Sequence, residues 1–142
     1  MSPFEFVLQV ASAFFGVVAV AITVQVPKKN LALAGLTGAS GWCVELLMEN
    51  SILSAFFASL LVAVLAQIFA RVSKTPVTVY LITGIFPLVP GVGMYRTVYY
   101  LLQSNRELTS YYLTYTLQIA GMIALAIFVV DSFFKKLYQK RS

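Results

Sequence analysis

Long stretches of this chain carry no charge at all: Phe6–Pro27, Asn30–Val44, Asn50–Ala70, Thr75–Tyr95 and Leu108–Val130. A helix crossing a hydrocarbon core of ~30 Å needs about 20 consecutive apolar residues. Four runs have that length outright. The second reaches it only if its helix continues through Val44-Glu45-Leu46-Leu47-Met48, with Glu45 turned toward protein or lying near an interface. Composition agrees, because 60% of the 142 residues are hydrophobic and 11% are charged, against roughly 25% charged in an ordinary soluble domain. A small soluble domain has too much surface to cover with so few polar side chains. A soluble globular domain, a disordered tail and a disulfide scaffold are excluded. The chain reads as all-α and integral to a lipid bilayer.

Placement of the basic residues distinguishes four crossings from five, because Lys and Arg gather on the cytoplasmic side. With five, Lys28, Lys29, Arg71, Lys74 and the tail residues Lys135, Lys136, Lys140 and Arg141 share one side. Arg106 is left opposite, and Arg96 lies in or near the membrane. With four, Lys28 and Lys29 part from the others. Five transmembrane helices are expected, with the N-terminus outside and the C-terminus inside. They form a single transmembrane domain with spans at about 4–26, 31–48, 51–70, 76–102 and 108–132. Connections such as Pro27-Lys28-Lys29-Asn30 and Glu49-Asn50-Ser51 are short, so consecutive helices are antiparallel neighbours. Tyr95, Tyr99, Tyr100, Tyr111, Tyr112 and Tyr115 flank the connection before the last span, where amphipathic rings favour the headgroup zone. The opening Met1-Ser2-Pro3-Phe4-Glu5 has no basic lead, and its apolar run exceeds a signal-peptide core, so the first segment is expected to stay as an anchor.

Several chemistries are excluded by what is missing. The sequence contains no His and a single Cys, Cys43. A His/Cys metal site, an internal disulfide and any His-activated nucleophile are therefore impossible in one chain. No catalytic residue, metal or cofactor is expected. The net charge of +5 lies between apolar runs and does not indicate nucleic acid as a partner.

The fourth span breaks the apolar pattern. Gly84, Pro87, Pro90, Gly91 and Gly93 fall within ten residues, Gly84–Gly93. Each proline lacks an N–H and clashes with the preceding turn, so a continuous helix is not expected there. In lipid, such a break persists only when buried in protein or lining a wet cavity. Broken helices of this kind build substrate sites in transporters. After Pro90-Gly91 the helix restarts, and its first amides, around Gly91 to Met94, present a partial positive charge that attracts a carboxylate. Gly93 and Thr97 belong to the same expected binding element, and Arg96 a turn or so beyond either supplies a bidentate contact or snorkels to the outer headgroups.

The second span carries Gly35, Gly38 and Gly41, three residues apart, with Thr37 and Ser40 among them. Small residues let helix backbones approach closely in a bilayer. The stripe either packs against another helix or, through Thr37 and Ser40, lines a pathway beside the broken span. Glu45 and Glu49 are either a solvated helix end or a cation-attracting or protonation site. Asp131 and Lys135 have the spacing of an i,i+4 ion pair. Gln67 and Gln118 are isolated amides within spans, and Cys43 is a small packing residue.

Together, Val26-Pro27 with basic residues following, the Gly35–Gly41 stretch, and above all Phe86-Pro87-Leu88-Val89-Pro90-Gly91 followed by Tyr95 resemble the threonine/serine exporter (ThrE) family, in its YjjB-type small membrane subunit. The resemblance covers most of the chain, and the family's proline motif falls on Pro87, Pro90 and Gly91. It implies a five-span half-transporter working with a larger YjjP-type membrane subunit, exporting threonine and serine or, in two-subunit forms, succinate. Arg96 is not part of that motif. The expected function is a subunit of a secondary exporter in the cell membrane, by alternating access around the broken helix, with the proton gradient as one coupling source. A homo-oligomer is a further expected arrangement. The alternative is a non-transporting membrane scaffold or assembly partner, which does not account for the two prolines and three glycines. An intramembrane enzyme is disfavoured because acid–base pairs are hard to build from five acids placed mostly near interfaces.

Overall fold

A computed structural model of the protein describes residues 1–49 and 52–141, and these are all helix and short connection. The helices are α1 (Pro3–Thr23), α2 (Leu31–Leu47), α3 (Ile52–Ser73), α4 (Val77–Ile85), α5 (Gly91–Leu102) and α6 (Arg106–Arg141). One-turn 3-10 segments, Lys28–Asn30 and Phe86–Leu88, precede α2 and follow α4. Asn50 and Ser51, part of the second connection and the expected start of the third span, lie outside the described residues.

Local chemistry sets the helix ends. Ser2 caps α1 in a reciprocal box, its hydroxyl accepting from the Glu5 amide at 3.2 Å while the Glu5 carboxylate accepts from the Ser2 amide at 3.1 Å. The C-terminal stops use residues other than glycine. Gln25, Lys74 and Ser104 take left-handed φ values of 62°, 56° and 58°. In each case the next amide reaches back to a carbonyl five residues earlier: Val26 to Ala21, Thr75 to Ala70 and Asn105 to Tyr100. Pro27 and Pro76 follow directly after Val26 and Thr75 and prevent the helices from resuming at once.

Helices α1, α3 and α6 are each long and apolar enough to cross a membrane, and α4 with its 3-10 turn and α5 form a fourth candidate bent by 51°. Helix α2 continues through Glu45 to Leu47, for 17 residues. At 1.5 Å per residue that is ~26 Å, slightly less than the ~30 Å hydrocarbon thickness. Helix α6 continues well past the expected end of its span, carrying the basic tail as helix to Arg141.

Packing centres on α3, which lies against α2, α4 and α6. Its inward residues are small: Ala55, Ala58, Ala63, Ala66 and Ala70 are all buried. In lipid, acyl chains are as apolar as leucine, so close backbone approach supplies the association energy that water would otherwise drive. One core cluster joins Ala55, Ala58, Val62, Leu88, Ile119 and Ile123; a second joins Ala21, Ala34, Ala66, Ala70 and Tyr80. The second lies at the end bearing Lys28, Arg71 and Lys74, the basic end of the bundle. Large side chains such as Phe15, Leu102 and Phe128 face outward, a distribution suited to an acyl-chain solvent and unsuited to water. The apolar composition and these helices make this a membrane protein.

Candidate functional site at the interrupted helix

The proline-rich segment does interrupt its helix. Helix α4 ends at Ile85, Pro87 sits inside the 3-10 turn, and Pro90 is the N-cap of α5, with φ −77° and ψ 60°. The two pieces then part company. Helix α4 lies across α2 and α3, with a small contact to α1, whereas α5 swings away and packs on α6.

Of the amides that open α5, Gly91 donates to the Val89 carbonyl at 2.7 Å and Met94 to the Pro90 carbonyl at 3.0 Å. Val92 and Gly93 are left without a backbone acceptor among the described residues, as the first turn of any helix leaves its donors. The restart is not enclosed by the described residues. A Cβ built on Gly91 meets nothing within 4 Å, and Val92 is 67% exposed. Pro87 borders a cavity of about 430 Å³ shared with Leu8, Gln9, Ser12 and Ala13 of α1 and Trp42 of α2. The break therefore opens onto the flank of a single chain.

The other expected site residues are distributed unevenly around this opening. Gly93 is buried, and a side chain there would collide with the Thr116 hydroxyl of α6. The Thr97 hydroxyl donates to the Gly93 carbonyl at 2.7 Å, so its proton is committed within α5. Arg96 is exposed, donates to the Tyr112 hydroxyl at 3.1 Å and lies 5.3 Å from that ring's centroid. It thus sits within a tyrosine cluster in which Tyr95 stacks on Tyr99 and Tyr100 on Tyr112. Pro90, Gly91 and the free first-turn amides are contiguous; Arg96 and Thr97 are engaged with other protein groups.

On α2 the glycines meet neighbouring helices. A Cβ on Gly35 would lie 2.6 Å from Phe14, one on Gly38 would overlap Val17, and one on Gly41 would lie 2.5 Å from Val62. Gly84 of α4 faces Thr37 and Val62 at 2.7 and 2.8 Å in the same sense. The Thr37 hydroxyl donates to Leu33 and that of Ser40 to Thr37, both at 2.8 Å and both within α2. Asp131 and Lys135 pair at 2.9 Å, as their spacing predicts.

Sequence reasoning overlooked some buried polar atoms. The Thr116 hydroxyl, packed on Gly93, and the Ser59 hydroxyl are both buried without a hydrogen-bond partner among the described residues, as is the Asn30 side-chain nitrogen. Glu45 accepts from Ser54, while its Oε2 is buried with no partner among the described residues. Hydroxyls scattered in an apolar run are visible in the sequence, but their unmet bonding is a property of the packing. No group of His, Cys, Asp or Glu among the described residues is arranged to hold a metal.

Compared with known proteins, residues 9–133 match the family described as threonine/serine exporter, ThrE. No curated protein and no solved structure matches the chain.

Proposed function

Since the chain belongs to the threonine/serine exporter family, a family of transporters and not of enzymes, we propose that it is the small membrane subunit of a secondary exporter for small carboxylate-bearing metabolites. Its substrates are threonine and serine, or a dicarboxylate such as succinate. In this reading the chain crosses the cell membrane five times, α2 included, with the N-terminus outside and the basic end in the cytoplasm. The observation that carries the reading is the interruption between Ile85 and Gly91, with its 51° bend and its open first-turn amides. A lipid-exposed break costs unsatisfied backbone groups. One that opens on the flank of a single chain needs a second membrane body to cover it.

That body is a larger YjjP-type subunit, or a second copy of this chain. The substrate carboxylate sits against the amides of Val92 and Gly93, with Pro87, Pro90 and Gly91 shaping the turn. Arg96 and Thr97, once released from their present partners, complete the same mouth. Alternating access follows from rocking the covering body against the bundle around this point. A scaffold role has no use for the break.

Metabolite efflux tests the reading. Cells loaded with threonine, serine or succinate should lose export when the chain or its partner is absent. A Pro90→Ala/Gly91→Ala variant should insert normally and export poorly. Undiminished export by that variant overturns the site.

A further inference from the structure

A second cavity lies at the basic end, away from the break, and its lining brings Arg71, Asp131, Gln67 and Thr75 together. It has a volume of about 460 Å³ and is walled by α3, the start of α4 and the last third of α6. A deeper cavity of about 250 Å³, reaching Ala63 and Leu81, shares Gln67, Val77 and Asp131 with it. Arg71 stands at the mouth. Its guanidinium carbon is 4.6 Å from the Phe134 ring centroid and 4.3 Å from that of Tyr138, two rings one turn apart on α6. Stacking uses the faces of a guanidinium and leaves its edge donors free. Among the described residues the ion pair is Asp131–Lys135, so Arg71 has no carboxylate partner.

The remaining wall is polar and partly fixed. The Ser73 hydroxyl, donating to the Phe69 carbonyl at 2.6 Å, lies 2.9 Å from the Thr75 hydroxyl and 2.7 Å from that of the fully buried Tyr80. This network holds Thr75 in the cavity wall. Gln67 presents an amide inside the span. Asp131 is paired to a largely exposed Lys135, a contact of small energetic worth that an incoming cation displaces readily.

We propose that this cleft is a loading site for a zwitterionic amino acid at the basic end of the bundle: Arg71 takes the carboxylate in a bidentate contact, and Asp131 takes the ammonium group in place of Lys135. The proposal rests on the exporter reading and adds to it a site separate from the interrupted helix, where substrate is held before it reaches the break.

The test uses the full chain in phosphatidylcholine nanodiscs, with Cys43→Ser and Val77→Cys providing one thiol in the cleft wall. The rate of modification by a charged thiol reagent is followed against L-threonine and, separately, succinate. Threonine slows modification, and Arg71→Gln raises the concentration required by roughly tenfold, the worth of a charged hydrogen bond. Arg71→Lys also loses protection, because an ammonium group offers no fork. Asp131→Asn weakens protection by threonine and does not weaken any by succinate, which has no ammonium group for Asp131 to meet. Arg106→Gln, an exposed cation at the opposite end of α6, leaves both unchanged. Equilibrium dialysis of labelled threonine against the wild-type chain and Arg71→Gln repeats the comparison without the introduced thiol. An unaltered threonine dependence in Arg71→Gln overturns the site, as does protection lost in Arg106→Gln instead. Protection that follows added phosphatidylglycerol and ignores both solutes makes the cleft a lipid-headgroup site and overturns the amino-acid assignment. Binding is read here without transport, so failure of the exporter reading appears as absent efflux with protection intact.

Discussion

Helix α2 and the start of α5 are both glycine-rich, yet their glycines do opposite things. On α2, Gly35, Gly38 and Gly41 are surfaces against which Phe14, Val17 and Val62 already lie, so each missing Cβ is space occupied by another helix. At the break, Gly91 faces open space and follows a proline, so its missing Cβ is space that none of the described residues occupies. Gly93, only two residues later, belongs to the first class again through Thr116. The contrast teaches that glycine in a membrane span has two uses, close helix approach and an opening, and that residue type alone does not tell them apart.

Substitution to alanine puts that contrast at risk. Gly38→Ala should have the largest effect. Val17 is β-branched and 1% exposed, with Cβ and Cγ1 both 3.1 Å from the new methyl. Overpacking of this kind costs typically 1–3 kcal/mol, which outweighs the ~1 kcal/mol of helix propensity gained. Thermal unfolding in detergent should show a lower midpoint; an unchanged or higher midpoint would mean that α1 and α2 separate freely. Gly93→Ala should destabilise by about 1 kcal/mol through the Thr116 hydroxyl, and Thr116→Ala should restore most of it in a double-mutant cycle. Additive losses from the two changes would break the assigned contact.

Gly91→Ala should run the other way. With an open position and a helical backbone, it should stabilise by about 0.4–1 kcal/mol by restricting the unfolded chain. Destabilisation here would show that something covers Gly91 in the protein, and running the same melt with and without the partner subunit would identify it. The smallest effect is expected from Tyr112→Phe, which removes one exposed acceptor from Arg96 and should change stability by no more than about 0.5 kcal/mol. A larger loss would make the Arg96–Tyr112 contact a structural tie between α5 and α6.

Some of this architecture was readable in advance for plain reasons. Pro87 and Pro90 break a helix wherever they fall, because the missing N–H and the ring clash are local. The Asp131–Lys135 pair follows from helical spacing. The helix ends were harder to read, because Gln25, Lys74 and Ser104 adopt the left-handed stop that glycine usually supplies. Arg96 could not be placed either. A side chain that long reaches a substrate, a headgroup or a neighbouring helix equally well, and only the stacking of Tyr100 on Tyr112 sets its present partner. Arg71 drew notice only as one of the charges marking a side, since the rings it meets lie more than sixty residues away in the chain.

The amino-acid order by itself determined that this chain belongs in lipid, that it is helical, and where one helix must fail. Hydropathy, backbone hydrogen bonding and proline geometry act over a few residues and need no knowledge of neighbours. Tertiary structure alone decided which glycines are filled and which is open, that α5 leaves α4 for α6, and that Arg71 meets Phe134 and Tyr138 at a cleft. Those outcomes depend on distances between residues remote in sequence, which only the packing of the helices sets.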